Sequence, residues 1–366
     1  MGLRAVYVTG DIVGSWVGAG SVTQNEVLAL QEFVGGAERV TVLDGTSLVP
    51  SYYRHLAIPY IQDYFAAIKL RALFGDNGEA ILHVHFYSNG FTEAVRTSLA
   101  YGAVVTYTSP AHDRVVSMEE HRRVEPYPYP FPHIFDDELF EQHSAGLRLA
   151  SAVVVPSKLS QKVLEEFGCK PEHLHLIPHG IPAPLEKVVV PFPEEFTVGY
   201  LGRTGPDKGL VYLIRAWGAL NYPDAKLILA GEGTEYLEPL IRQQTDGGRF
   251  ILLGRVEDPA TLYNACSVYV QPSVNEGFGI SVLEAISYGR FVIASEGAGS
   301  SCFIGNGFSG FVVPPRDEKS LMEKIDLVKT YPSWYHDSTY SIRRYANKFV
   351  WEKVRAMYVE LFKKLH

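Results

Sequence analysis

Runs of apolar, β-branched residues alternate with helix-like stretches almost from one end of the chain to the other, the pattern of parallel sheets wrapped by helices. Strands are expected at Arg4 to Thr9, Arg39 to Leu43, Ala80 to Phe86, Ala103 to Tyr107 and Ala152 to Pro156. A second series is expected at Thr197 to Leu201, Lys226 to Ala230, Phe250 to Leu253, Val268 to Gln271 and Phe291 to Ala294. At 366 residues the chain exceeds one ordinary hydrophobic core, so two consecutive α/β domains follow. Five prolines between Pro178 and Phe196 break regular structure and place the join there. Residues 1–185 are read as the first domain and 186–348 as the second. In residues 349–366, Val350, Val354, Met357, Tyr358, Leu361 and Phe362 recur at helical spacing, which predicts a closing amphipathic helix. The segment Glu125 to His133, with its alternating prolines, is expected to be an extended surface loop.

Composition removes several functions. Hydrophobic content of 46% and charged content of 20% are ordinary for a globular protein. Cys169, Cys266 and Cys302 are far apart and outside any C-x-x-C spacing, which speaks against a disulfide framework and a thiolate metal site and for a reducing compartment. The apolar start is too short for a signal peptide or a membrane span, so a cytoplasmic location is expected. Residues 1–185 carry 13 Lys+Arg against 20 Asp+Glu and residues 186–366 carry 20 against 21, net charges of −7 and −1. An acidic first half argues against nucleic acid as a partner and against strong attraction to anionic lipid.

The strongest chemical signal runs from Gln271 to Ala285, QPSVNEGFGISVLEA. A strand ends at Gln271, a glycine-containing turn follows, and a helix begins near Ile280. Free backbone N–H groups and a positive helix terminus at the carboxyl end of a parallel strand form an anion site. Glu276 in the turn and Glu284 inside the helix bracket it, although two acids at that spacing are more commonly solvated. A second turn, Gly202 to Gly209, follows the first strand of the second half and carries Arg203 and Lys208. These could grip a diphosphate, one through a planar fork and one as a point charge. Alone, that turn reads equally well as incidental surface charge. The two loops together favour the anion site.

On these motifs the second half resembles the catalytic half of the retaining, GT-B fold glycosyltransferases called glycosyl transferases group 1. The resemblance rests on GYLGRTGPDKG, LILAGEG, ILLGRV, LYNACSVYVQPSVNEGFGISVLEAISYGRFVIAS and GFVVPP, in family order over residues 198–315. The first half matches more loosely through IPHGI and VVVPSKLSQKVL, and FVWEKVRAMYVELF resembles the family's terminal helix, which crosses back to the first domain. The resemblance implies two Rossmann-like domains facing each other across a cleft and a nucleotide-diphosphate sugar, UDP- or GDP-linked, as co-substrate with no cofactor. Arg203 and Lys208 would hold the diphosphate, assisted by the N–H groups of Gly279, Ile280 and Ser281. Glu276 would accept hydrogen bonds from the donor sugar and Glu284 from the ribose. The base would lie against Gly254, Arg255 and Val256. Two cations and a helix terminus would neutralise the leaving phosphate without a metal. The acceptor hydroxyl would attack from the front face, with retention of configuration.

In the first half, His112 with Asp113 resembles the family's His-Asp pair, where the histidine approaches the donor sugar. The glycine-rich loop Gly14 to Gly20 follows a strand as a phosphate or sugar loop would; its Gly18-x-Gly20 is a poor dinucleotide fingerprint, and it lacks the Lys-x-Gly-Gly of glucan synthases. His83 and His85 share one strand face, and without a third ligand they are read as satisfied strand-end histidines and not as a metal pair. Tyr127, Tyr129, Phe131 and His133 could stack on an acceptor, with packing over the domain edge preferred. Ile61, Tyr64, Phe65, Ile68 and Phe74, beside Lys69 and Arg71, are read as core, with weak peripheral association at the inner membrane surface left open. The acceptor is a sugar, a lipid-linked glycan or a small molecule. The rival readings are a nucleotide-sugar epimerase of the same architecture, a non-catalytic scaffold subunit and, more distantly, an NAD-dependent oxidoreductase.

Overall fold

The computed structural model describes residues 4–9, 18–44, 47, 59–76, 81–87, 91–109, 114–124, 145–183, 192–244 and 249–366. The chain divides into two compact units. The first comprises Met1–Ala111, Ile134–Gly180 and Trp351–His366, and the second His112–His133 and Ile181–Val350.

In the first unit, β1 (Arg4–Thr9), β2 (Val40–Leu43), β3 (Ile81–Tyr87), β4 (Val104–Thr108), β5 (Ala152–Val155) and β6 (Leu174–Leu176) form one sheet in the order β2-β1-β3-β4-β5-β6. Every pairing in it is parallel. Its crossovers include α1 (Gly18–Val34), α2 (Pro59–Asp76), α3 (Thr92–Ala100) and α5 (Lys158–Glu166). The intervening α4 (Arg114–Arg123) groups with the second unit although it follows β4 in the chain. Ser157 caps α5, its hydroxyl accepting from the Ser160 N–H, so a serine just before an apolar stripe sets where that helix begins.

The second unit repeats the plan with β7 (Phe196–Leu201), β8 (Ala225–Ala230), β9 (Phe250–Gly254), β10 (Val268–Gln271), β11 (Phe291–Ser295) and β12 (Gly310–Val313). Their order is β12-β11-β10-β7-β8-β9, again all parallel. Read from β9, this is the doubly wound order 3-2-1-4-5-6, whose direction reverses between β7 and β10. Val268, Tyr269, Val270 and Gln271 are all buried, as expected of a strand covered on both faces. Its helices include α6 (Leu210–Leu220), α7 (Ala260–Ala265), α8 (Ile280–Ser287), α9 (Glu318–Thr330) and α10 (Thr339–Ala346). On α6, Leu210, Leu213, Ile214 and Trp217 turn one face into the core, and Trp217 is the bulkiest fully buried side chain among the described residues.

The closing helix α11 (Trp351–Leu365) belongs to the first unit and packs on α1. Val354, Tyr358, Leu361 and Phe362 are buried at helical spacing, while Met357 faces solvent. His83 and His85 are not strand-end residues. Both lie inside β3, fully buried, with His83 Nε2 and His85 Nδ1 at 2.8 and 2.7 Å from the Thr106 hydroxyl of the neighbouring strand. The apolar residues of α2 divide: Phe65 and Phe74 pack against the core, whereas Tyr64 and Ile68 are exposed; the Ile61 side chain lies outside the described residues. No described helix is long and apolar enough to cross a membrane.

Candidate functional site

The reversal between β7 and β10 separates the loops that leave these two strands, which makes their carboxyl ends the natural crevice of such a sheet. The loop after β7 carries Arg203 and Lys208; the loop after β10 carries Glu276 and leads into α8. Backbone bonds join the loops directly, with the N–H groups of Val274 and Asn275 donating to the Asp207 carbonyl at 2.7 and 3.2 Å. Gly209 makes that approach possible. Its φ is +67°, and a Cβ there would fall 2.1 Å from the Pro272 carbonyl oxygen.

The two loops meet in an ion pair, Lys208 Nζ to Glu276 Oε1 at 2.8 Å, with Asp207 Oδ2 at 3.6 Å from the same ammonium. Both side chains keep a small solvent-facing edge, 15% for Lys208 and 18% for Glu276. Burial pulls the Lys208 ammonium down, but the charges of Glu276 and Asp207 more than offset it and hold the group above the ordinary lysine value. Lys208 is therefore a firm cation. Arg203, exposed at the start of the loop, makes no ion pair among the described residues and adds its charge beside Lys208.

Glu276 is oriented from its other oxygen. The Ser273 hydroxyl and the Gln271 amide donate to Oε2 at 2.7 and 3.0 Å. Gln271 is held in turn, its Oε1 accepting from Tyr269 OH at 2.6 Å and from Ser281 Oγ at 3.1 Å. This amide links the carboxylate to the first turn of α8. Gly279 precedes that helix with φ +82°, and a Cβ there would lie 3.1 Å from Glu276 Oε2. The first N–H groups of any helix lack intrahelical acceptors, so Ile280 and Ser281 present backbone donors beside Lys208 and Glu276.

Glu284, one turn further along α8, accepts from Tyr263 OH of α7 at 2.7 Å, and the same hydroxyl is 3.3 Å from the Ser281 carbonyl. Burial raises the Glu284 carboxyl above its ordinary value, and the Tyr263 bond offsets this only in part. Val256 follows β9, two strands along from β7, and is half-buried against the core. The loop there is fastened by Gly231 N–H donating to the Gly254 carbonyl at 2.7 Å and by Gly254 N–H donating to Thr234 Oγ1 at 3.0 Å.

The second unit thus brings Arg203, Lys208, Glu276, Gly279, Ile280, Ser281 and Glu284 to one end of its sheet, with Val256 at the same end. Gly18 opens α1 in the first unit after β1. His112 and the aromatic segment from Tyr127 to His133 lie outside the described residues. Tyr263 and Tyr269, and the Gln271 and Ser273 side chains within the turn motif, have no functional role assigned to them from the sequence. The available signal was the strand period, which puts Tyr269 and Gln271 on one face of β10 at the strand end nearest the turn.

Comparison with known proteins agrees with this construction. Residues 185–348 match the family described as glycosyl transferases group 1, and residues 27–183 match glycosyltransferase family 4. The capsular polysaccharide biosynthesis glycosyltransferase CapM of Staphylococcus aureus is 30% identical over 45% of this chain and 46% of its own. That stretch is less than half the length of the relative. The UDP-Gal:alpha-D-GlcNAc-diphosphoundecaprenol alpha-1,3-galactosyltransferase of Escherichia coli is 24% identical over 76% of this chain and 73% of its own. Among solved structures, a sucrose-phosphate synthase from Thermosynechococcus elongatus superimposes with a TM-score of 0.73 at 19% identity, covering 99% of both chains. Anabaena HepE in complex with UDP-glucose gives 0.72 at 19% identity, covering 98% of this chain and 99% of that one. With two parallel six-stranded Rossmann-like units and both family matches in sequence, the chain belongs to the group 1 glycosyltransferases of the GT-B fold.

Proposed function

We propose that the protein transfers a sugar from a nucleoside-diphosphate sugar to an acceptor hydroxyl with retention of configuration. The observation that carries this reading is the Lys208–Glu276 pair, a cation and a carboxylate held 2.8 Å apart beside a helix N-terminus at the switch point of the sheet. In this assignment Arg203, Lys208 and the N–H groups of Gly279, Ile280 and Ser281 hold the diphosphate. Donor binding changes the partner of Lys208 from the Glu276 carboxylate to a phosphate, leaving Glu276 to accept hydroxyls of the donor sugar. As the glycosidic bond breaks, the anomeric carbon gains positive charge and the phosphate negative charge. Glu276 and the two cations stabilise them respectively, so these contacts strengthen toward the transition state. Glu284 is assigned to the ribose, the turn at Val256 to the base, and His112 and the Gly18 loop to the donor sugar.

No metal is given a role, because two side-chain cations and a helix terminus supply the charge that a divalent ion would otherwise bring. A UDP- or GDP-linked donor is assigned, with support from a relative whose name specifies UDP-galactose. A lipid-linked or polysaccharide acceptor is assigned on the same footing. Cys169, Cys266 and Cys302, far apart and outside any C-x-x-C spacing, go with a reducing, cytoplasmic setting.

A thermal-shift screen with UDP, GDP and ADP, each alone and as its sugar, followed by nucleotide release in EDTA, tests the reading. A ligand bound at 100 times its Kd adds about 2.7 kcal/mol of stability, a readily visible shift. Stabilisation by one nucleotide class and turnover that survives the chelator are expected. No stabilisation by any nucleotide, or turnover lost in EDTA and restored by Mg²⁺, contradicts the donor site or its metal independence.

A further inference from the structure

Helix α4 (Arg114–Arg123) follows a strand of the first unit but belongs to the second, and its sequence, RVVSMEEHRR, is strongly polar. Val116, with Val124 just beyond the helix, supplies what apolar contact it makes with the second core among the described residues. Polar contacts add to this. The fully buried Glu120 carboxylate accepts from Tyr212 OH at 2.5 Å and from Arg316 Nε at 2.6 Å. Arg316 has a φ of +63°, a left-handed conformation that a non-glycine residue keeps only where its surroundings enforce it. The buried Asn275 amide donates to the buried Ser117 hydroxyl at 2.8 Å. The helix also packs on the turn Pro206–Lys208.

Three of these contacts land beside residues of the site. Tyr212 is in the first turn of α6, which starts directly after the Lys208-Gly209 turn. Asn275 is the neighbour of Glu276, and Pro206–Lys208 contains Lys208 itself. The two loops therefore share a single support, and that support is secured by a buried carboxylate with two partners of its own. We propose that α4 is a brace for the Lys208–Glu276 pair, in which Glu120 anchors the helix and Ser117, through Asn275, is a positioning residue for the Glu276 carboxylate. The inference rests on the function proposed above. His112, assigned there to the donor sugar, precedes α4 by two residues in the chain.

The test is nucleotide release from UDP-glucose, UDP-galactose and GDP-mannose, with active sites counted by calorimetric binding of UDP and GDP, so that misfolded protein does not enter kcat. Ser117→Ala is expected to lower kcat roughly 10-fold while nucleotide Kd stays within about twofold, because a small misplacement weakens turnover more than ground-state binding. Ser117→Thr, which keeps the hydroxyl, should recover kcat to within about threefold. Glu120→Ala should lower both kcat and the melting temperature; if it fails to fold, the Ser117 pair still decides. A merely structural α4 would lower the melting temperature and leave kcat per nucleotide site unchanged in Ser117→Ala, which overturns the proposal. Glu276→Ala is run alongside. If it is inactive while Ser117→Ala is normal, the brace alone fails; if wild type and Glu276→Ala release nucleotide equally, the proposed function fails and the brace with it.

Discussion

Glu26 in the first unit and Glu276 in the second are both carboxylates gripped by several side chains, and they differ in what the grip leaves over. Glu26, on α1, is completely buried. Tyr7 OH donates to one oxygen at 2.5 Å and Tyr358 OH to the other at 2.8 Å, with His85 Nε2 at 3.5 Å. These partners come from β1, α11 and β3, so the carboxylate ties the closing helix to the sheet. Burial pushes its carboxyl upward, but the bonds from His85 and Tyr7 outweigh this and bring it below its ordinary value. Tyr7 and Tyr358 are pushed well above the ordinary tyrosine value, by burial first and then by Glu26, and so remain proton donors. Glu276 has Lys208, Gln271 and Ser273 in equivalent places but keeps a solvent edge at a switch point. A closed carboxylate is a fastening; one with an open edge and a displaceable cation can exchange partners with a ligand. The contrast predicts that removing the first costs stability and removing the second costs turnover.

The largest expected effect tests the closed side. Glu26→Ala takes the acceptor from the buried Tyr7 hydroxyl and one of two partners from Tyr358 OH, which keeps the Thr108 hydroxyl at 3.2 Å, and it should lower unfolding stability by about 3 kcal/mol or more, measured by urea denaturation, with kcat per nucleotide site unchanged. Because the native carboxyl lies below its unfolded value, the Glu26 contribution should be full above the ordinary glutamate pKa and fade as pH falls through the lower native value. Glu26→Ala should show none of this acid dependence. Equal stability of wild type and variant would remove the distinction.

Next, Glu276→Ala should lower kcat on the order of 10²-fold, about 2.7 kcal/mol of transition-state stabilisation, with circular dichroism and nucleotide binding preserved. A variant with near-normal kcat would detach Glu276 from the reacting sugar. Glu284→Ala should mainly raise donor KM, by roughly 10-fold, since a ribose contact is nearly the same in ground and transition states. The raised carboxyl of Glu284 adds a signature. Donor KM should climb on the acid side at a pH above the ordinary glutamate range, and Glu284→Gln should lack that rise. The smallest effect is expected of Tyr263→Phe, roughly threefold in KM. Its lost bond had lowered the Glu284 carboxyl, so the acid rise should move to higher pH. A shift in the other direction would contradict the assigned hydrogen bond.

Most of the second unit was readable because its strands are continuous apolar runs punctuated by glycine turns. Val268 to Gln271 stands where expected. Leu174–Leu176 is not legible as a strand because three residues carry no period, and the four-residue Gly310–Val313 is too short to show one. His83 and His85 were expected at a strand end, since the sequence does not show Thr106 facing them from β4. The loops holding Lys208 and Glu276 were legible from their turn chemistry. Their 2.8 Å pairing was not, because it depends on β10 lying next to β7, a fact of strand order. The assignment of α4 to the second unit was equally hidden. Its docking rests on Ser117 and Glu120, polar residues that carry no apolar period, and on partners far away in the chain.

Calorimetric titration of Lys208→Ala against wild type tests most directly whether the open cation–carboxylate pair is a diphosphate site. With UDP, GDP and ADP in EDTA, wild type should bind one nucleotide well, and Lys208→Ala should bind it at least 10-fold more weakly, about 1.4 kcal/mol. An unchanged Kd in Lys208→Ala, with the protein folded, would contradict the account.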